Sequence, residues 1–363
     1  MSRDQEILLN IADLDLTFPT AFGPLHAVRG VNIELIRGQA LAVVGESGSG
    51  KTVTMKAVAG ILPPNTKINR GSITFTYSNQ EGLQKSTDLL SKGKRWMRRH
   101  INGKRIAMVF QDPVSSLNPT MSIGRQLTEG MIWHHKASKK EAWNRAIDLL
   151  EEVGIEDAPK WMKCYPHQLS GGMCQRVAIA IALSCQPELL ICDEPTTALD
   201  VSIQEKMMDL IRRLQRKRGI SVIYITHDLG AVARAADMIY VMYAGKIVEK
   251  GMTREVLYDP RHPYTWGLLL SMPDLNCENQ RLYSIPGSPP TLLQESQGDA
   301  FSPRNRYAMI VDDKAEPPMF AITKTHAAAT WLLDARAPKV EMPDELKKRL
   351  EGMKKEAGDS GRG

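Results

Sequence analysis

The pattern of apolar and polar positions divides the chain near residue 258. Before that point, short apolar runs alternate with turn residues and amphipathic stretches. Three of the runs, at residues 40–44, 106–110 and 189–192, are continuously apolar, which is typical of strands buried on both faces of a parallel sheet. Residues 221–226 predict a further core strand. Further strands are predicted at residues 7–11, 31–35, 238–243 and 246–249.

Helices and loops fill the remaining sequence. Residues 51–61 predict a helix, and residues from about 115 to 168 are helical and amphipathic, for example at 139–153. Beyond residue 258 prolines become dense, which predicts an appended, loop-rich segment rather than a continuation of the sheet. Residues 344–363 are highly charged and end in glycine and serine, so we expect a frayed helix and tail.

Composition narrows the possible settings of the protein. No run approaches the roughly 18 consecutive apolar residues of a membrane span, and the first ten residues lack the pattern of a secretory signal. Five cysteines are scattered without a CxxC pair, which favours a reduced cytosolic compartment. The net charge of +6 is mild for 363 residues and does not demand nucleic acid. Any membrane role is therefore expected to come through partner chains.

A glycine-rich loop follows the apolar run at 40–44 and opens the helix at 51–61. It carries the pattern GxxxxGK[ST] in full, as Gly45, Glu46, Ser47, Gly48, Ser49, Gly50, Lys51 and Thr52. The glycines let backbone N–H groups turn toward phosphate oxygens, and the helix N-terminus adds partial positive charge. We expect Lys51 to reach the β- and γ-phosphates and Thr52 to offer its hydroxyl to magnesium. This loop alone does not choose among kinases, GTPases and motor ATPases.

Two carboxylates end the apolar run at 189–192. Asp193 is placed to hold the magnesium shell, and Glu194 is placed to polarise an attacking water as a general base. A strand-end Asp-Glu pair on its own is often a solvated turn. Together with a phosphate-binding loop, the pair instead predicts a site that hydrolyses a nucleoside triphosphate.

A serine and two glycines, Ser170, Gly171 and Gly172, precede a helix predicted at residues 174–184. Their backbone can form a nest that suits a γ-phosphate. The alternative is an ordinary helix N-cap with a glycine turn. The position of this motif between the other two favours the phosphate interpretation.

These motifs and their order resemble the ATP-binding cassette (ABC) family, whose LSGGQ signature appears here as residues 169–173 with Met173 in place of Gln. The resemblance spans roughly residues 5–340. It implies an α/β fold with a P-loop NTPase (RecA-like) core, an antiparallel β-subdomain, an inserted helical subdomain and a proline-rich C-terminal extension. The implied domains are a nucleotide-binding domain at 5–258 with the helical subdomain at about 115–168, an extension at 259–343 and a charged tail at 344–363.

The resemblance also assigns further site residues. Gln111 resembles the Q-loop glutamine, which senses magnesium and the membrane partner. Asp200 resembles the D-loop aspartate across a dimer seam, and His227 resembles the switch histidine that contacts the γ-phosphate. The adenine platform is expected to be an aromatic side chain after the first strand. Phe18 fits by its place, Phe22 is the alternative, and either could instead be ordinary core.

By the same resemblance, two such subunits close head to tail. ATP then lies between the P-loop of one subunit and Ser170, Gly171 and Gly172 of the other, and closure moves membrane subunits through the region beside Gln111. The expected cofactors are ATP and Mg²⁺. The expected partners are a second, different ABC ATPase, two transmembrane permease subunits and an extracellular peptide-binding lipoprotein. The chain would then lie peripherally on the cytoplasmic face of the cell membrane.

The extension indicates a branch of the family. Residues 259–269 resemble the DPxHPYTxxLL element of oligopeptide and dipeptide importers, and residues 285–290 and 301–309 resemble the two elements that follow it. Many relatives carry cysteines here that look able to ligate an iron–sulfur cluster. This chain instead has Asp299, Asn305, Asp312 and Thr330. Without thiolates no such cluster is expected, and the pattern resembles the Gram-positive form.

Two alternatives to peptide import remain at this point. The same ATPase role could serve nickel, antimicrobial peptides or glycosides, since cargo choice is expected to reside in the permeases and the binding protein. A soluble ABC protein that acts on nucleic acid or ribosomes is the second alternative. It is disfavoured because such proteins usually carry two cassettes or a long coiled-coil insertion, whereas this chain has one P-loop and no heptad run.

Overall fold

The computed structural model describes residues 6–78, 83–195, 201–272, 283–293 and 297–359. These residues form strands in two sheets. The strands are β1 (Ile7–Thr20), β2 (Gly23–Ile36), β3 (Ala40–Val44), β4 (Lys67–Ser78), β5 (Gln84–Asp88), β6 (Ile106–Val109), β7 (Leu189–Asp193), β8 (Ser221–Thr226), β9 (Met238–Tyr243), β10 (Lys246–Met252), β11 (Phe320–Ala321) and β12 (Ala327–Ala328).

Helices cover the sheets and fill the segment between β6 and β7. They are α1 (Lys51–Val58), α2 (Lys94–His100), α3 (Pro113–Ser116), α4 (Ile123–His135), α5 (Lys139–Glu152), α6 (Ala158–Trp161), α7 (Gly171–Leu183), α8 (Val201–Arg218), α9 (Leu229–Val232), α10 (Thr253–Tyr258), α11 (Pro263–Ser271) and α12 (Asp344–Asp359). None of the helices within the described ranges is long and apolar enough to span a bilayer.

The larger sheet has the strand order β11-β12-β10-β9-β3-β8-β7-β6. Strand β3 is parallel to both of its neighbours, β8 and β9, and the strands β7 and β6 continue the parallel arrangement. Every residue of β3 is buried. Leu41 and Val43 enter one apolar core, whereas Ala42 and Val44 enter the other, as expected for a strand covered on both faces.

The smaller sheet is antiparallel, with the strand order β2-β1-β4-β5. Its strands β1 and β2 are far longer than the runs at 7–11 and 31–35 that predicted them, because they continue as a hairpin into the polar residues around Gly23. The inward residues Leu9 and Ile11 pack in the same core as Leu41. The antiparallel sheet thus covers one face of the parallel sheet and places Phe18 near the end of β1.

The helices between β6 and β7 follow the predicted amphipathic pattern. On α5, the residues Ala142, Ala146, Leu149 and Leu150 are buried, with the spacing of one helical face. Helix α5 packs against α4, α6 and α7. Two predicted boundaries differ from the structure: α1 ends at Val58 rather than at residue 61, and α7 begins at Gly171 rather than at residue 174.

The prediction that the proline-rich extension lies outside the sheet was wrong. Strand β12 pairs with β10 through Glu249↔Ala328 and Lys250↔Ala327, and β11 pairs with β12, so the extension adds two strands to the edge of the larger sheet. The sequence signal for these strands is weak because β12 consists of two alanines, and alanine is depleted in strands.

A buried carboxylate fixes the extension to this sheet edge. Glu249 on β10 is fully buried, and its Oε1 accepts from the backbone N–H of Arg261 at 2.7 Å. Its Oε2 accepts from the N–H of His262 at 3.0 Å, and the His326 ring lies 2.8 Å from Oε1 through Nε2. One side chain therefore joins the turn before α11 to the segment before β12.

We predict that Glu249→Ala lowers the free energy of unfolding by about 3 kcal/mol, because two buried N–H groups and a buried imidazole lose their acceptor. Equilibrium unfolding in urea measures this change. Glu156→Ala, which removes an exposed carboxylate from a turn, serves as the control and should shift stability by less than about 0.5 kcal/mol. A loss as small as the control's would contradict the role given to Glu249.

A candidate ATP-hydrolysing site

The loop at residues 45–52 leaves the carboxyl end of β3 and enters α1, and it packs closely against its neighbours. A Cβ atom on Gly45 would lie 2.0 Å from the carbonyl oxygen of Met242 on β9. Gly50 has φ +103°, and a Cβ there would lie 2.5 Å from the carbonyl oxygen of Ala27. No other residue type fits these two positions without moving the backbone. The loop shape is therefore set by contact with the surrounding sheets.

Lys51 is buried at the start of α1. Its Nζ donates to the carbonyl oxygens of Gly45 at 2.6 Å and Glu46 at 2.8 Å, so the ammonium lies across the mouth of the loop. Burial lowers the pKa of Lys51, while the charges of Glu194 and Asp193 act in the opposite direction. The arrangement concentrates a positive charge beside the loop N–H groups, which suits a phosphate.

Thr52 and Asp193 meet between α1 and the end of β7. The Thr52 hydroxyl donates to Asp193 Oδ1 at 2.8 Å. Burial raises the pKa of Asp193, although the hydroxyl and the nearby lysines lower it in part. A hydroxyl and a carboxylate are hard oxygen ligands of the kind that Mg²⁺ prefers. The donor set beside the loop therefore fits a magnesium ion.

Glu194 lies between side chains from two other strand ends. Gln111, just after β6, donates from Nε2 to Glu194 Oε2 at 2.9 Å, and His227, just after β8, places Nδ1 3.4 Å from Glu194 Oε1. Glu194 has φ +46°, an uncommon backbone conformation for a side chain of this type. The structure thus brings the three predicted catalytic residues into one cluster beside Asp193.

A cavity of about 1030 Å³ opens over the loop. Its lining includes Lys51, Thr52, Gln111, Glu194 and His227, together with Phe18 on its rim. Phe22 does not line the cavity and is 87% exposed. Of the two candidate adenine platforms, Phe18 lines the cavity and Phe22 does not, so this geometry favours Phe18, and its role stays a prediction.

Ser170 caps α7, and its hydroxyl accepts from the N–H of Met173 at 3.3 Å. The N-cap interpretation therefore describes the isolated chain. Ser170, Gly171 and Gly172 are absent from the described residues that line the cavity, although Gly171 and Gly172 are open to solvent or partly so. Their predicted role toward a second subunit's ATP stays a prediction. Asp200 lies outside the residues that the structure describes.

Sequence reasoning missed two residues of the extension that contact the loop. Tyr264 on α11 accepts from the backbone N–H of Glu46 at 2.7 Å, and Arg304 forms an ion pair with the Glu46 carboxylate at 2.6 Å. Residues 283–285 and 287–289 of the extension also contribute to the cavity wall. Both Tyr264 and Arg304 lie within the elements that resemble peptide importers, but nothing in those elements indicates contact with residue 46.

Four polar residues of the extension are buried and form short-range hydrogen bonds: Asp299, Asn305, Asp312 and Thr330. Asp299 accepts from the N–H of Phe301, and Asp312 accepts from the N–H of Met309. Asn305 and Thr330 accept from N–H groups two residues further along. These turns order the extension through side-chain oxygens.

In the larger sheet, the central strand β3 leads into a glycine-rich loop and a helix, and two acidic residues lie at the end of the parallel strand β7. This combination defines a P-loop nucleoside triphosphatase. Family models agree with this class and refine it. The model "ABC transporter" matches residues 28–197, and "Oligopeptide/dipeptide transporter, C-terminal region" matches residues 248–311. A third model, "AAA domain, putative AbiEii toxin, Type IV TA system", matches residues 163–233 and overlaps the first.

Curated relatives match over nearly the whole chain. The oligopeptide transport ATP-binding protein OppD of Bacillus subtilis is 50% identical over 94% of both chains. The dipeptide transport ATP-binding protein DppD of Lactococcus lactis subsp. cremoris is 48% identical over 98% of this chain and 99% of its own. The chain therefore belongs to the ABC transporter family of oligopeptide and dipeptide transport ATP-binding proteins, and it is an ATPase.

Solved structures agree with the fold. The dimeric structure of a bacterial ABC transporter cassette has a TM-score of 0.58 and 25% identity, covering 68% of this chain and 99% of that one. The cbiO1 protein of Clostridium perfringens has a TM-score of 0.55 and 29% identity, covering 70% of this chain and 92% of its own. The predicted α/β P-loop fold is confirmed by these neighbours.

We predict that Phe18→Ala raises the Kd for ATP roughly tenfold, because stacking of an aromatic ring on a base contributes about 1–3 kcal/mol. Phe22→Ala is the matched control, since it removes the same side chain from an exposed position of the same hairpin. Fluorescence titration with a labelled ATP analogue compares the two variants. Weaker binding by the Phe22 variant alone would reverse the assignment.

Proposed function

We propose that the protein is the ATP-binding and ATP-hydrolysing subunit of a membrane importer for oligopeptides or dipeptides. The observation that carries this proposal is the joint match of cassette and extension to relatives named for oligopeptide and dipeptide transport, at 48–50% identity over almost the full length. The clustered site supplies the ATPase chemistry. A deletion strain tested for uptake of labelled peptides, nickel and glycosides decides the cargo, and unchanged peptide uptake would refute peptide import.

Within the site, the proposal gives each group near the loop a task. The N–H groups of residues 45–52 and the Lys51 ammonium bind the phosphates, and Phe18 stacks on adenine. Thr52 and Asp193, with Gln111 beside them, would hold Mg²⁺. When bound, the ion neutralises negative charge on the phosphate oxygens. The hydrogen bond between Thr52 and Asp193 supports this, since it brings a hydroxyl oxygen and a carboxylate oxygen within 2.8 Å of each other beside the loop.

The proposed general base is Glu194, which would take a proton from the attacking water. Its two carboxylate oxygens face Gln111 and His227, so these side chains hold the carboxylate in one orientation. His227 would also contact the γ-phosphate. Because Gln111 follows the strand β6 and precedes the helices α3 to α6, its contact with Glu194 links the hydrolytic residue to the helical region.

We further propose that the functional unit is a pair of ATPase subunits. Ser170, Gly171 and Gly172 lie apart from this chain's own cavity lining, which supports a role at the ATP of a second, homologous ATPase, and Asp200 would lie at the seam. The proposed assembly adds two permease subunits and an extracellular peptide-binding lipoprotein. This chain would then be peripheral on the cytoplasmic face of the membrane.

The domain boundaries that we propose are those of the sequence analysis. A nucleotide-binding domain spans residues 5–258 and includes the helical subdomain at about 115–168. The C-terminal extension follows at 259–343, and the charged tail at 344–363.

We predict that Glu194→Gln leaves ATP binding within about twofold of the wild type but lowers hydrolysis at this chain's P-loop at least roughly a hundredfold, because general-base catalysis contributes about 10²–10⁴-fold. Single-turnover hydrolysis of radiolabelled ATP in the assembled complex measures it. The control is Glu156→Gln, which changes an exposed glutamate in a turn. Glu46 does not serve as a control because it lies in the phosphate-binding loop. Near-normal turnover at this site would rule out Glu194 as the base.

We predict that Ser170→Arg impairs hydrolysis at the site containing the partner's P-loop, since a bulky cation blocks the face that would close on the partner's γ-phosphate. Each site can be read separately by photo-crosslinking of an azido-ATP and identification of the labelled subunit. Ser170→Ala should have a much smaller effect. Damage confined to this chain's own P-loop would contradict the head-to-tail arrangement.

A further inference from the structure

Among the residues that the structure describes, the extension forms hydrogen bonds to the phosphate-binding loop at Glu46. Arg304 forms a bidentate ion pair with the Glu46 carboxylate, with Nη1 2.6 Å from Oε2 and Nη2 3.0 Å from Oε1. The Tyr264 hydroxyl accepts from the N–H of the same residue at 2.7 Å. Both the backbone and the side chain of this loop residue are therefore fixed by the extension.

Arg304 is itself fixed in place. Its side chain is only 4% exposed, and its Nε donates to the carbonyl oxygen of Pro286 at 2.8 Å. Nη1 also donates to the Tyr243 hydroxyl at 3.3 Å. The hydrogen bond with Glu46 is the largest cause that raises the pKa of Arg304, and an arginine guanidinium carries its charge throughout the physiological pH range. Tyr243, Tyr264 and Phe301 pack against one another behind it, with ring centroids 4.6–5.4 Å apart.

The location of Glu46 gives this ion pair a consequence for ligand binding. Glu46 and Arg304 both line the cavity over the loop, together with Lys51. A carboxylate on the wall of a triphosphate site repels the phosphates, and the repulsion is strong where protein excludes water. Arg304 cancels that charge and at the same time holds the loop residue that carries it.

We propose that Arg304 is a positioning residue of the ATP site, which neutralises the Glu46 carboxylate and fixes its orientation beside the phosphate-binding loop. By this proposal, the extension contributes to nucleotide binding in addition to distinguishing this branch of the family. This inference rests on the proposed binding of ATP at residues 45–52, and it adds a residue 258 positions away in the chain.

The decisive experiment is a double-mutant cycle on the full chain, with the Kd for the magnesium complex of a non-hydrolysable ATP analogue measured by calorimetry. Arg304→Met should raise Kd roughly tenfold, because it leaves the Glu46 charge facing the phosphates. Glu46→Gln alone is the third corner of the cycle, because it removes the carboxylate charge while Arg304 stays in place. The double variant should return to within about threefold of the wild-type Kd, since the repulsion is absent.

Two further measurements separate this role from simple stabilisation of the fold. The ratio of the Arg304→Met Kd to the wild-type Kd should fall as salt rises from about 0.05 M to about 0.5 M, because screening weakens charge repulsion. Lys314→Met removes one exposed positive charge from the same segment and should leave Kd unchanged. Melting temperatures of all variants show whether each is folded.

Each outcome supports or overturns the proposal. An unchanged Kd for Arg304→Met overturns it, and so does a weakened Kd that Glu46→Gln fails to restore, since the arginine would then act through the fold alone. Failure of the wild-type chain to bind the nucleotide, with Lys51→Ala indistinguishable from it, would instead refute the proposed function. Recovery in the double variant, together with the fall in the ratio with salt, establishes Arg304 as a positioning residue.

Discussion

The close approach of the loop after β3 to its neighbours is the constraint on which the rest of the site depends. Strand β3 lies between two parallel strands and is buried on both faces, so the loop at its carboxyl end has no room to spread. Gly45 and Gly50 accept backbone contacts that a Cβ would prevent. The neighbouring parallel strands end at the same edge of the sheet. The sheet therefore places three residues beside the loop: Asp193, Glu194 and His227.

Charge balance is the second condition for such a site. Within the part of the chain that the structure describes, the cavity lining contains the carboxylates of Glu46 and Glu194, and the buried Asp193 lies beside it. The triphosphate would add more negative charge. Lys51 and Arg304 offset this from opposite ends of the sequence, the first from the loop and the second from the extension. If Arg304 acts as proposed, charge balance at this site involves both the cassette and the segment that follows it.

The sequence predicted those parts of the molecule whose signals are local. The apolar runs located β3, β7 and β8, and fixed spacing located residues 45–52, 193 and 194, because a phosphate loop needs particular residues at adjacent positions. The predictions were poorer where pairing across long sequence separation decides the structure. Strand β12 consists of two alanines that pair with Glu249 and Lys250. A strand this short has no alternating hydrophobic pattern from which it could be predicted. The contact of Arg304 with Glu46 could not be predicted from the sequence either, since a single arginine in a proline-rich loop is part of no motif that indicates its partner.

The ion pair between Glu46 and Arg304 also bears on how the protein is made. During synthesis, Glu46 leaves the ribosome 258 residues before its partner, and at about 5–20 residues per second that interval lasts roughly 13–50 s. For that time the nascent cassette carries an uncompensated carboxylate in its phosphate loop. Nucleotide binding is therefore expected to mature late, after the extension has docked and β12 has joined the sheet. A chain stalled or cleaved before residue 304 would contain every recognisable cassette motif and still lack a finished phosphate site.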